Sequence, residues 1–120
     1  VPDPTEITLP FPPSVNALYK NIRGGRAKAT KYEAWIVHAG MVLLAQKAKK
    51  YTGPITLKIQ IGLPDKRKRD LDNLLKACLD LLVTHRIIED DSVKFLKGFS
   101  IHVADRPPGA YIVISPVENG

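Results

Sequence analysis

The sequence predicts an α+β domain, a small mixed β-sheet in the order β-α-β-α-β-β with two helices packed on it. Three observations carry this. The chain of 120 residues has one domain's length and, at 44% hydrophobic and 25% charged, the apolar content for one core. Two segments, within 31–50 and 71–84, repeat apolar residues at helical spacing. The segments around them are short alternating or β-branched runs bounded by Pro, Gly and Asp.

Residues 1–4 read as a loose tail. Glu6-Ile7-Thr8-Leu9 alternates, which predicts a short strand, and Pro10, Pro12 and Pro13 stop it. Residues 14–31 have no period. They carry Gly24-Gly25 among Lys20, Arg23, Arg26, Lys28 and Lys31, which predicts a long basic loop, mobile over 20–31. Thr30 followed by Glu33 is a capping-box pattern. Helix one then runs over about 31–50, with Ala34, Val37, His38, Met41, Leu44, Ala45 and Ala48 on its repeating face. Lys47, Lys49 and Lys50 fall in its expected last turn, where cations suit the helix dipole, and Gly53-Pro54 follows.

Ile55 to Ile61 alternates, with Ile55, Leu57, Ile59 and Ile61 facing the core. Pro64-Asp65 opens a basic turn, Lys66-Arg67-Lys68-Arg69. Leu71, Leu74, Leu75, Cys78, Leu79 and Leu82 mark helix two over about 71–84, and Thr84-His85-Arg86 breaks it. Glu89-Asp90-Asp91-Ser92 is an acidic turn or the start of a short helical turn. Val93 to Val103 is the next strand. Asp105-Arg106-Pro107-Pro108-Gly109 is a strong turn, and Ala110 to Ile114 a last strand, expected to form a hairpin with the one before.

The formal charge of +6 and a pI near 9.6 favour a polyanionic partner, nucleic acid first. The charge is uneven. Residues 20–69 hold 13 basic residues against Glu33 and Asp65, whereas residues 70–120 hold eight acids against five basic residues. A membrane span is excluded, because the longest uncharged apolar run, Ala34 to Ala45, is far short of the roughly 20 residues needed. The single cysteine, Cys78, cannot form an intrachain disulfide or a Cys-built zinc site. Together with a first segment that lacks the pattern of a signal peptide, this predicts an intracellular protein. No Ser sits in a nucleophile elbow, and no Gly-rich loop is framed to cradle phosphate. None of the acids is followed two residues on by Lys, the tripeptide of another nuclease superfamily.

The chemistry concentrates in Asp70-Leu71-Asp72-Asn73-Leu74-Leu75-Lys76 and in Asp90-Asp91. Taken singly, each residue has an ordinary reading. Asp is favoured at a helix N-terminus, and Asp72 with Lys76 is an i, i+4 pair. Taken together, two acidic segments flank one helix directly after four cations. Hard cations such as Mg²⁺ take oxygen ligands, often one or two carboxylates plus waters and substrate phosphates. Two such ions can clamp the attacking and leaving oxygens of a phosphodiester. Lys76 would neutralise charge on the phosphate or orient the attacking water.

The chain resembles the RusA family of Holliday junction resolvases, small phage-derived endonucleases, over nearly its whole length. The likeness lies in Leu9-Pro10-Phe11-Pro12-Pro13-Ser14-Val15-Asn16-Ala17-Leu18-Tyr19, in Pro64 to Lys76 with its Asp-x-Asp-Asn-x-x-Lys motif, in Asp80, and in Ile88-Glu89-Asp90-Asp91. The resemblance implies a RusA-like fold and a homodimer making paired, Mg²⁺-dependent nicks in four-way junction DNA during recombination and repair, with Mn²⁺ able to substitute. It implies a cytoplasmic protein, bacterial or phage-encoded. Asp70, Asp72 and Asp91 would be the metal-binding and catalytic acids, Asp90 a nearby helper and Lys76 an essential basic residue. Lys66, Arg67, Lys68, Arg69, Lys76, Asn16, Arg23, Arg26 and Lys28 would contact DNA. Trp35, Ile36 and Leu43 on helix one are candidates for the dimer interface, Trp35 foremost. One position departs from the family. Where it usually has Gly before the apolar pair preceding Asp-Asp, this chain has Arg86, so either Arg86 carries the strain of a left-handed cap or the turn differs.

Two other functions compete. One is a non-catalytic DNA-binding module whose acids are caps and ion pairs. The other is an RNA-binding protein, against which the chain lacks an aromatic stacking platform. His38, His85 and His102 have no mutual spacing, and His38 reads as core or interface.

Overall fold

The structure is a computed structural model that describes residues 6–13, 19–22, 25–28 and 30–117. Its elements are β1 (Glu6–Leu9), β2 (Tyr19–Ile22), β3 (Gly25–Lys28), α1 (Thr30–Ala45), β4 (Ile55–Gly62), α2 (Leu71–Thr84), β5 (Leu96–Val103) and β6 (Gly109–Pro116). The predicted α+β class holds. The predicted tail, residues 1–4, lies outside the described residues.

The main sheet has the order β1-β6-β4-β5. Strand β4 buries Ile55, Leu57, Ile59 and Ile61, the four residues its alternation selects. It pairs parallel with β5 and antiparallel with β6, and β6 pairs antiparallel with β1. The expected hairpin between the last two strands is therefore a correction: β6 passes over the end of β4 and pairs on its far side. The burial patterns account for the placement. Ala110, Tyr111, Ile112 and Ile114 of β6 are buried, as suits an inner strand, while β5 leaves Phe99 and Val103 half exposed, as suits an edge.

Gly62 makes that crossing possible. A Cβ on it would lie 2.1 Å from the Pro107 carbonyl oxygen and 2.6 Å from that of Arg106, so residues 104–108 can lie over the end of β4 only above a glycine. Arg106 then ties the crossing down. It donates to Glu6 at 2.9 and 2.7 Å and to Gln60 at 2.9 Å, linking β1 and β4.

Helix α1 departs from expectation in two ways. It ends at Ala45, and Lys47 takes a left-handed φ of 53°, so Lys47, Lys49 and Lys50 lie beyond the helix. Its core face is the opposite one. Tyr32, Trp35, Ala39 and Leu43 are buried, while Val37, Met41 and Leu44 are about two-thirds exposed, at 64, 65 and 63%, and His38 is exposed. The helix is apolar all round, so two faces satisfy the helical period, and burying the larger aromatic surface of Tyr32 and Trp35 decides between them. Trp35 and Leu43 are therefore core residues of the monomer, and Ile36 is half-buried. Gln46, just past the helix, accepts from the Thr8 amide at 2.8 Å and donates to the Thr8 carbonyl at 2.7 Å, which fastens this end to β1.

Strands β2 and β3 pair from Tyr19↔Lys28 to Ile22↔Gly25. The segment read as a structureless loop therefore contains a two-stranded ribbon. Gly and Lys are depleted in strands, which is why local composition did not predict it.

Helix α2 keeps its predicted bounds and buries Leu74, Leu75, Ala77, Cys78, Leu79, Leu81 and Leu82. Its far end resolves the Arg86 alternative. Arg86 sits at φ 57°. Its amide bonds to the Val83 carbonyl at 3.0 Å, and the Ile87 amide to that of Leu82 at 2.9 Å. These are the paired bonds of a Schellman cap, completed by an arginine in the left-handed region that glycine usually fills.

Candidate active site and nucleic-acid interface

The start of α2 follows the basic turn directly. Asp65 organises that turn. It accepts from the Arg67 amide at 2.9 Å, from Arg67 Nε at 3.2 Å and from Arg69 at 3.1 Å. Arg69, followed by the Arg67 amide, holds the Asp65 carboxyl far below the usual carboxylate range. The two arginines differ sharply. The Arg67 side chain is 79% exposed, whereas that of Arg69 is 12% exposed. Arg69 also lies over the Phe11 ring, 5.1 Å from its centroid. Its charge is thus committed to Asp65, and the outward cations of the turn are Lys66, Arg67 and Lys68, all exposed.

Asp70 occupies the N-cap position with φ −97° and ψ 127°, yet its side chain makes no capping bond. Asn73 reaches only the Asp70 backbone carbonyl, at 3.2 Å. The ordinary reading of Asp70 as a cap therefore fails, leaving its carboxylate exposed at the positive end of the helix dipole. Asp72 and Lys76 are also exposed, one turn apart.

The other acidic segment follows the far end of the helix. The Ser92 hydroxyl, then the Asp91 amide, holds the Asp90 carboxyl below its ordinary value. A helical turn begins there, with the Phe95 and Leu96 amides on the Ser92 carbonyl at 3.0 and 2.8 Å. Asp91 is exposed and lines a cavity of about 280 Å³ with Asp80, Thr84, Tyr32 and Ile36. Tyr32 donates its hydroxyl to Asp80 at 3.3 Å.

A profile of the family described as Endodeoxyribonuclease RusA matches residues 10–115. The chain belongs to the RusA family. It is similar to the crossover junction endodeoxyribonuclease RusA of Escherichia coli K12, 35% identical over 89 residues, which are 72% of each chain. It is similar to the protein of that name from Enterobacteria phage 82, 33% identical over 87 residues, again 72% of each. The enzyme of that name from Shigella sonnei is 35% identical over 89 residues.

In this RusA chain the two acidic segments do not converge. Among the described residues no group of three His, Cys, Asp or Glu side chains could hold a metal ion. Within one chain Asp90-Asp91 does not join Asp70 and Asp72 in such a group. The topology gives the reason. Parallel β4 and β5 require a crossover that runs back along the sheet, and α2 is that crossover. Asp91 shares its cavity with Asp80 and Thr84, about 12–18 Å along the helix from Asp72 at 1.5 Å per residue. Asp70 and Asp72, without a third carboxylate, still fit a hard cation that keeps its waters and takes phosphate oxygens.

Asn16 and Arg23 lie outside the described residues. Arg26 and Lys28 are on β3, whose side chains are likewise outside the description. Cys78 is the packed thiol that helix periodicity implies, and burial pushes it up to about 12. No helix among the described residues is long and apolar enough to cross a membrane.

Sequence reasoning missed a second cavity, of about 380 Å³, lined by Phe11, Pro12, Pro13, Trp35 and Lys31 with the basic turn. The first turns of α1 separate it from the Asp91 cavity, with the Trp35 and Tyr32 rings stacked 6.2 Å apart between them. The family segment at Phe11-Pro12-Pro13 and the expected DNA contacts Arg67, Lys68 and Arg69 belong to its lining, but nothing in the sequence showed that they share one cavity.

Proposed function

We propose that this RusA-family chain is a Mg²⁺-dependent endodeoxyribonuclease that resolves four-way DNA junctions by paired symmetric nicks, as a homodimer. The observation that carries the reading is the Asp70 carboxylate, placed as a cap yet unused as one, directly after a basic turn. Asp70 and Asp72 hold the metal. Lys66, Arg67 and Lys68 bring the strand's phosphates to it, and Lys76, one turn into the helix, neutralises charge on the reacting phosphate. When bound, Mg²⁺ supplies an activated water and stabilises the leaving oxygen.

Two copies are needed for two symmetric cuts, and a two-fold axis matches the substrate. A second copy also supplies what one chain lacks, since its Asp91 can complete the Asp70–Asp72 pair that the length of α2 keeps apart from its own. The interface belongs on the exposed stripe Val37, Met41 and Leu44, next to Ile36 of the Asp91 cavity, and not on Trp35 or Leu43. The alternative, a DNA-binding module without catalysis, binds the same junction and leaves it intact. A synthetic four-way junction incubated with and without Mg²⁺, with cuts mapped on all four strands, decides between them. Symmetric cuts that require the metal support the proposal, and an intact junction under both conditions rejects it.

A further inference from the structure

The cavity beside the basic turn has the chemistry of a nucleotide site. Its lining combines ring side chains with cations. The Arg69 guanidinium forms a layer on the Phe11 ring, held there by Asp65. Trp35 contributes indole carbon only, because its single donor, Nε1, is spent on the Pro10 carbonyl at 3.0 Å. Pro12 and Pro13 add two rings without an N–H. The remaining lining is cationic and exposed: Lys31, Arg67 and Lys68. Rings and cations lining one cavity suit a π-surface attached to a phosphate. Its volume of about 380 Å³ lies in the range of small-ligand sites. The residue after Arg69 is Asp70, so a base lodged here belongs to the strand held at the proposed metal pair.

We infer that this cavity receives a single unstacked nucleobase of the bound DNA, with its phosphate on the lysine-arginine rim. The inference rests on the junction-cutting reading and adds to it a contact that paired duplex cannot make. A base inside a duplex enters only by leaving its stack, and the cost of doing so is lowest where pairing and stacking are already interrupted. The cavity therefore favours branch points over uniform duplex and gives the chain a place to discriminate between bases.

The test is an abasic scan. Bases within three nucleotides of the crossover are removed one at a time, and binding is measured without divalent metal for the wild-type chain and for Phe11→Leu. Stacking on the Arg69–Phe11 layer predicts one position at which base loss weakens wild-type binding about tenfold and the variant's much less, because the variant has already lost the ring that holds the layer flat. A scan with no such position in the wild type overturns the inference, without recourse to any variant. An equal penalty in both proteins also overturns it, by making Phe11 merely structural. Failure to bind intact junction at all would instead remove the function reading, and this inference with it.

Discussion

The two ends of α2 are built for different purposes. At the far end the carbonyls of Leu81, Leu82 and Val83 are all bonded. Arg86 and Ile87 close a Schellman cap, Ile87 and Ile88 are buried, and the Asp90 carboxylate is occupied by Ser92 and the Asp91 amide. At the near end the cap position holds a carboxylate that caps nothing, and Asp65 rather than the helix fixes the preceding turn. Satisfied groups stabilise, whereas the Asp70 carboxylate forgoes the roughly 1 kcal/mol that a capping side chain ordinarily contributes, which on the proposed reading leaves it for the metal.

Substitutions at the two ends should therefore separate function from stability. The largest effect belongs to the near end. Asp70→Asn is expected to slow junction cutting by about a thousandfold, roughly 4 kcal/mol of barrier, in single-turnover assays. Junction affinity should hold or rise, since a negative charge facing phosphates is gone. At the far end, Leu82→Ala removes a fully buried side chain beneath the cap and should cost about 2–5 kcal/mol in denaturant unfolding. Equal losses of cutting and stability in both variants would erase the distinction.

A smaller effect of opposite sign is expected from Arg86→Gly. Arg86 holds φ 57°, where a non-glycine residue costs roughly 1–2 kcal/mol, so glycine should raise the unfolding free energy by somewhat less than that, after the entropy it adds to the unfolded chain, seen as a higher denaturant midpoint. The smallest is an acid effect. The Asp65 and Asp90 carboxyls both titrate below their ordinary values in the folded chain, so each stabilises above about pH 4 and loses that contribution as pH falls further. Asp65, the more strongly lowered of the two, should dominate. Asp65→Asn is expected to flatten the acid limb of stability measured between about pH 5 and 2, and Asp90→Asn to flatten it less.

The same contrast shows what the sequence could reveal. Strand β4 was legible because its burial repeats every second residue, and α2 because a single face is apolar. The buried face of α1 was not, since Val37, Met41 and Leu44 fit the period as well as Trp35, Ala39 and Leu43. Strand order was not legible either, because local pattern does not encode which strand crosses over Gly62. In the site, the residue types at Asp70, Asp72, Lys76 and Asp91 could be read directly. Their separation could not, because it follows from β5 running parallel to β4, a fact of tertiary pairing. Asp65 and Phe11 escaped for a similar reason, since their roles appear only when Arg69 is seen lying between them.

The central claim is that the two ends of α2 act on the same phosphate only when they come from different copies. Mixing Asp70→Asn with Asp91→Asn tests it directly, on a four-way junction with Mg²⁺ after subunit exchange. Each variant alone should be inactive. In the mixed dimer, Asp70 and Asp72 of the Asp91→Asn copy meet the intact Asp91 of the other, so one complete set remains and a single nick should appear in one strand of the pair. A mixture as inactive as its parents would mean that each site draws all three acids from one chain, and would contradict the account.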